Sequence, residues 1–244
     1  MKNILKYSVL RYVPHIDSGE SINIGILISD IDNKYKEFYY TSNLSRIKSF
    51  DDEINIRRLK SYLNSIDKDV KILDFNKFNI DDYIKFYINS INFADVTLLK
   101  YDNIKNAVLS LKKLYLRYDF DKKNRSTKSE DKKLLLNIVK SNYKKDLLNN
   151  KVIGKYSEDI TYDIVTNDFC VKFFDIKNKN ISTFINQAKI WMVNGENEKR
   201  KSYVVYRYEE INNNSKFNII GNIFKDSKTK FIEMSEFDKI LKKA

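Results

Sequence analysis

The stretch Lys6-Tyr7-Ser8-Val9-Leu10-Arg11-Tyr12-Val13, followed after a loop holding Pro14 and Gly19 by Ile22-Asn23-Ile24-Gly25-Ile26-Leu27-Ile28, decides the fold. The first segment has the β-branched and aromatic content of a strand, and isoleucine recurs at every second position of the second. Two neighbouring strands are predicted. A side-chain period of two places Ile22, Ile24, Ile26 and Ile28 on one face of the second strand, with Asn23, Gly25 and Leu27 on the other. A third strand over 35–40 follows the turn at 30–34, so the chain opens as an antiparallel sheet.

Outward from these strands the spacing becomes helical. Ile56, Leu59, Leu63 and Ile66 form a stripe behind a Ser49-x-x-Asp52 capping signal. Asn79 caps a second helix, with Asp81 and Asp82 in its first turn and Ile80, Tyr83, Ile84, Tyr87, Ile88 and Ile91 as its buried face. A third helix starts at Asp102, turning Ile104, Val108, Leu111 and Tyr115 inward and Lys105, Lys112, Lys113 and Arg117 away. Residues 119–131 are polar and read as a linker, leading to a connecting helix at 134–142. Beyond it come strands at 160–165 and 169–176 and a helix at 182–193 whose core face is Phe184, Ala188, Trp191 and Met192. Strands at 202–209 and 217–224 and a short helix from Ser235 follow. The pattern predicts an α+β chain. Its N-terminal domain (1–118) is an antiparallel sheet with helices, a basic linker and connecting helix occupy 119–150, and a small mixed α+β domain fills 151–244.

A chain of 244 residues with 42% hydrophobic and 32% charged positions has material for real cores, which excludes disorder over most of its length. One His and one Cys exclude zinc fingers, His-rich metal sites and disulfide frameworks. Five Gly and one Pro supply neither GxGxxG nor GxxxxGK[ST]. The start, Met1-Lys2-Asn3-Ile4-Leu5-Lys6, is charged too early for a signal peptide, and no apolar run approaches the roughly 18 residues of a membrane span. A soluble cytoplasmic protein without a membrane partner is expected. Lone Cys170 reads as a small hydrophobe within a strand, and His15 as an exposed loop residue.

Lys and Arg total 45 against 33 Asp and Glu, a net charge of +12. Residues 100–150 hold 14 basic and 6 acidic side chains, so a local +8 supplies two-thirds of that net charge. Clustering of this kind is the footprint a polyanion requires. The candidate contacts are Lys105, Lys112, Lys113, Arg117, Lys122, Lys123, Arg125, Lys128, Lys132 and Lys133, interleaved with Tyr115 and Tyr118. Lysines attract phosphates without regard to sequence, and an exposed tyrosine stacks on unpaired bases. The bland alternative is a solvated lysine-rich face with both tyrosines in the core. The preferred expectation is a non-enzymatic regulator or inhibitor, without a cofactor, that engages nucleic acid or a nucleoprotein complex through residues 105–145. Docking of an acidic protein on the same face is the alternative, and the Lys-, Asn- and Ile-rich composition suggests a phage or mobile-element origin.

The first strands also carry a signature. Tyr7, Arg11, Tyr12, Val13, Pro14, Glu20, Asn23 and Gly25 resemble, in type and spacing, the opening pattern of the bacterial family known as domain of unknown function 3037. The resemblance implies no activity. His15 stands where that pattern has an acidic residue. Arg11 and Asn23 fall on adjoining strands, and a buried Arg11 needs a carboxylate, for which Glu20 is nearest. Arg11, Glu20, Asn23 and Gly25 are thus either structural ties, with Gly25 admitting a close neighbour, or a polar pocket for phosphate or carboxylate. In the second half, Asp163 and the Asp175-Ile176-Lys177 run, with Gln187 on the following helix, are similar to the core of the PD-(D/E)xK nucleases. That resemblance implies Mg²⁺ or Mn²⁺ held by Asp163 and Asp175, with Lys177 positioning water. A solvated turn explains the same residues.

Overall fold

In the computed structural model, which describes residues 3–15, 20–30, 32, 34–143, 147–174, 180–207 and 214–241, the chain forms two compact units, Met1–Asn142 and Tyr143–Ala244. The fold is α+β. In the first unit β1 (Asn3–Tyr12) pairs antiparallel with β2 (Ile22–Asp30), which pairs antiparallel with β3 (Tyr35–Tyr40). Helices α1 (Leu44–Phe50), α2 (Ile56–Ile72) and α3 (Ile80–Tyr83) follow. Strands β4 (Ile91–Phe93) and β5 (Thr97–Tyr101) then both lie along the far side of β1, against its C-terminal and N-terminal halves respectively.

The face assignment of β2 changes within the strand. Arg11 pairs with Asn23 but Leu10 pairs with Gly25, so Ile24 is the extra residue of a β-bulge. One inserted residue reverses the alternation. Ile22 and Ile24 therefore share a core with Leu27, Leu10, Tyr12 and the inner residues of α2, while Ile26 and Ile28 do not belong to it. The four isoleucines do not share one face, contrary to the period-two expectation. Next to the bulged residue Gly25 is close-packed: a Cβ there would sit 2.7 Å from the Phe38 ring and 3.1 Å from the Tyr39 carbonyl.

The spacing that predicted α2 is confirmed by Leu59, Leu63, Ile66 and Val70, all buried, each worth about 1.5–3 kcal/mol of removed apolar surface. Its cap is not the Ser49-x-x-Asp52 signal, because Ser49 lies inside α1. Asn55 Oδ1 accepts from the Arg58 N–H at 3.0 Å instead, and Lys36 donates to the Val70 carbonyl at the other end. The helix predicted from Asn79 is capped as expected but stops after one turn and a 3-10 turn, Ile84–Phe86. Pairing of Ile91 with Tyr12 draws the chain back into the sheet, and Ile88 is left exposed.

Helix α4 (Ile104–Tyr115) is capped by Asn103, one residue later than expected, and buries Ala107, Val108, Leu111, Leu114 and Tyr115. Tyr115 meets Tyr7 of β1 with hydroxyls 3.0 Å apart. The 119–131 segment, expected as a linker, is tied to the first unit. Thr41 and Ser42 both donate to the Asp119 carboxylate, the latter at 3.0 Å. Helix α5 (Lys128–Asn142) buries Leu135, Ile138 and Val139, so the division between units falls after Asn142.

Edge strand β5 has its exposed backbone groups met by side chains of α5. Asn142 accepts from the Leu98 N–H at 2.9 Å and donates to its carbonyl at 2.8 Å, Ser141 accepts from the Lys100 N–H at 2.9 Å, and Asn137 donates to the Lys100 carbonyl at 2.8 Å. A helix thus substitutes for the missing neighbour strand and closes a pairing edge. Asn142→Leu removes two of these bonds and strands a backbone N–H and C=O, for an expected loss of about 2 kcal/mol, read from the urea midpoint at unchanged slope.

In the second unit β6 (Lys151–Ile153) and β7 (Asp159–Thr161) form a hairpin. A mixed sheet follows, with β8 (Ile164–Val165) antiparallel to β9 (Phe169–Phe173), and β9 parallel to β10 (Lys201–Tyr206) after helix α6 (Ile181–Asn197). Helix α7 (Asn214–Lys225) then leads to β11 (Lys230–Glu233), parallel to β10, and α8 (Asp238–Leu241) closes the described chain. The strand expected at 217–224 is part of α7. A parallel β10–β11 pair needs a crossover, and Ile220 and Phe224 are one helical turn apart and buried. Phe184 and Ala188 form the buried face of α6, with Trp191 and Met192 packed beside them, as their spacing predicts. Cys170 is fully buried in β9, and burial pushes its thiol up to about 12.

Candidate functional site

Helix α4 stands as a ridge on the first unit. Its inner stripe is fixed by the core, so the intervening positions must face outward. Lys105 is exposed, Lys112 and Lys113 are half-buried along their stems, and half-exposed Leu109 lies between them. On one flank, α4 and β3 enclose a groove of about 350 Å³ lined by Tyr35, Glu37, Tyr39, Ile104, Lys105, Val108, Leu109 and Lys112. On the other, α4 and α5 enclose about 170 Å³, reaching Lys113, Ser126, Glu130 and Leu134. Leu109 borders both grooves.

Strand alternation builds the floor of the first groove. Lys36, Phe38 and Tyr40 turn toward α2, which leaves Tyr35, Glu37 and Tyr39 on the α4 side. Both phenols contact Glu37 Oε2, Tyr35 at 2.7 Å, and their own oxygens are 2.7 Å apart. Three oxygens share two hydroxyl hydrogens. Either both phenols donate to the carboxylate, or one phenol donates to the other and the second to Glu37; each arrangement leaves Oε1 without a donor among the described residues. Lys112 Nζ lies 4.2 Å from the Tyr39 ring centre.

Burial is the main reason the Tyr39 phenol is pushed up to about 12, and it raises Tyr35 further. Burial also lifts Tyr12 and Tyr162 to about 12. Folded protein therefore holds more protons than unfolded chain above the free phenol value of about 10. This stabilisation is complete below about pH 10 and lost as pH rises toward 12. Phenolate absorbance is expected to rise in two steps, exposed tyrosines first and this set together with loss of the far-ultraviolet helix signal.

The remaining basic candidates divide into two kinds. Lys122, Lys123 and Lys133 are exposed, and Lys113 and Lys133 both approach Glu130, which the Thr127 backbone N–H holds below its usual carboxylate range. Lys128 and Lys132 are half-buried. Arg117 turns inward, donating to the Ser126 carbonyl and hydroxyl at 3.1 and 3.0 Å beside Asp131 at 3.7 Å. Arg125 donates to the Phe120 carbonyl at 3.0 Å and lies over the Tyr118 ring, which Arg46 also faces at 4.2 Å. Tyr115 is core and no stacking platform. Sequence reasoning missed Tyr35, Glu37 and Tyr39, although their alternation in a polar-faced strand was visible.

Arg11 and Asn23 are both buried, with Arg11 Nε donating to Asn23 Oδ1 at 3.4 Å, while Glu20 is exposed. In the second unit Asp163 Oδ2 accepts from the Phe173 N–H at 2.8 Å and lies 3.6 Å from Lys172. Asp175 and Lys177 lie outside the described residues. No group of three or more His, Cys, Asp or Glu among the described residues is placed to hold a metal ion. No helix among them is long and apolar enough to cross a membrane.

The family model described as "Protein of unknown function (DUF3037)" matches residues 7–79, from β1 to the residue capping α3. This agrees with the family resemblance of the opening strands. Helices α4 and α5 lie outside the matched segment. No curated protein and no solved structure matches the chain.

Proposed function

We propose that the chain is a non-enzymatic nucleic-acid-binding protein whose contact surface is the α4 ridge with the turn and helix that follow it. One observation carries the reading. Lys105, Lys112, Lys113, Lys122, Lys123 and Lys133 come from one stretch of the first unit, and none of them is in an ion pair among the described residues. Lys6, Lys71 and Lys85 of the same unit are each held by an aspartate within 2.8 Å. Basic charge gathered on one stretch, with Glu130 the acid beside Lys113 and Lys133, attracts a polyanion and releases its counterions on contact.

Fluorescence anisotropy with labelled DNA and RNA, in EDTA and in Mn²⁺ across a salt series, tests the proposal. Binding that weakens steeply with salt, with the probe intact in both media, supports it. An absence of binding at low salt refutes it, and probe cleavage confined to Mn²⁺ replaces it with a nuclease.

A further inference from the structure

The β3–α4 groove combines three features that one kind of ligand satisfies. Its walls, Val108, Leu109, Ile104 and the two tyrosine rings, suit a flat apolar body. Its floor includes Glu37, whose Oε1 is an acceptor left over with both phenol contacts on the other oxygen. Lys105 and Lys112 line it too, seven residues apart, or about 10 Å along the helix. A planar ring with N–H donors and attached anions matches all three.

We infer that this groove takes an unpaired nucleobase, with Glu37 accepting from its amino edge and Lys105 and Lys112 holding the flanking phosphates. The inference rests on the nucleic-acid reading and narrows it to single strands. In a duplex the amino edge is paired and the ring stacked, so only phosphates reach the lysines. A base splayed from a single strand inserts whole. A carboxylate accepts from the cytosine N4 amine, a group that thymine lacks. Cytosine is therefore held better than thymine.

The test uses the full chain in EDTA at neutral pH with three labelled probes: oligodeoxycytidylate, oligothymidylate of equal length, and a duplex. Oligodeoxycytidylate is expected to bind about tenfold tighter than oligothymidylate, and the duplex more weakly than either. Glu37→Leu is expected to bring the cytidylate affinity down to the thymidylate level. Leu109→Glu, at a half-exposed helix position that does not threaten folding, places a carboxylate at the groove mouth. It is expected to weaken both single strands at least as much as the duplex. Circular dichroism checks that both variants fold. Equal binding of duplex and single strands, or a cytidylate preference that survives Glu37→Leu, overturns the groove inference and leaves the broader reading intact. Failure of all three probes to bind overturns both.

Discussion

In a protein with Lys105, Lys112, Lys113 and Lys133 all changed to glutamine, the plot of log affinity against log salt is expected to flatten by about 3. Each phosphate neutralised on a single strand contributes about 0.7 to that slope, and four contacts are lost. The four positions lie on α4 and α5 with their ammonium groups in no ion pair among the described residues, so glutamine costs the fold little. Lys6→Gln and Lys85→Gln serve as controls, since both lysines are already neutralised by aspartates, and their slope should match the parent. A quadruple variant with an unchanged slope places the phosphate contacts elsewhere. A pull-down against acidic partners would then decide between the alternatives for this face.

Much of this architecture is legible in the sequence, and the failures have physical causes. The three opening strands, the inner stripe of α2 and the inner stripe of α4 follow directly from period two and period 3.6. Ile24 defeats the face assignment because a bulge is a pairing event, and nothing in the alternation marks where a partner strand shifts. The run at 217–224 reads as a strand by content, yet the demand for a crossover between parallel strands makes it helix. Strands β4 and β5 were missed because they are short and owe their conformation to the open side of β1. Charge clustering identified the basic stretch, and it could not separate ammonium groups facing water from guanidinium groups serving the fold. The groove was hidden for a related reason. Its acceptor and phenols lie on β3, more than sixty residues before the lysines, and only the sheet face brings them together.

That separation of roles has its largest expected effect at Arg117, which shares the basic stretch with the lysines and differs from them in every contact. Its side chain is 14% exposed, and that of Asp131, 3.7 Å away, is 3% exposed. Arg117→Ala takes a cation from beside a buried carboxylate and a donor from the Ser126 carbonyl and hydroxyl. The expected cost is about 3–5 kcal/mol, a large part of the roughly 5–15 kcal/mol that holds a domain folded. Urea unfolding reads it directly. Exposed Lys122→Ala and Lys123→Ala should shift stability by less than about 0.5 kcal/mol. The paired change Arg117→Met with Asp131→Leu removes both charges together and should recover most of the loss. Recovery in the pair identifies the single variant's defect as the cation lost from beside a buried carboxylate; a pair as unstable as Arg117→Ala assigns the defect to the Ser126 contacts. Either way, loss of nucleic-acid binding in Arg117→Ala reports unfolding, and the phosphate contacts are to be sought at the lysines.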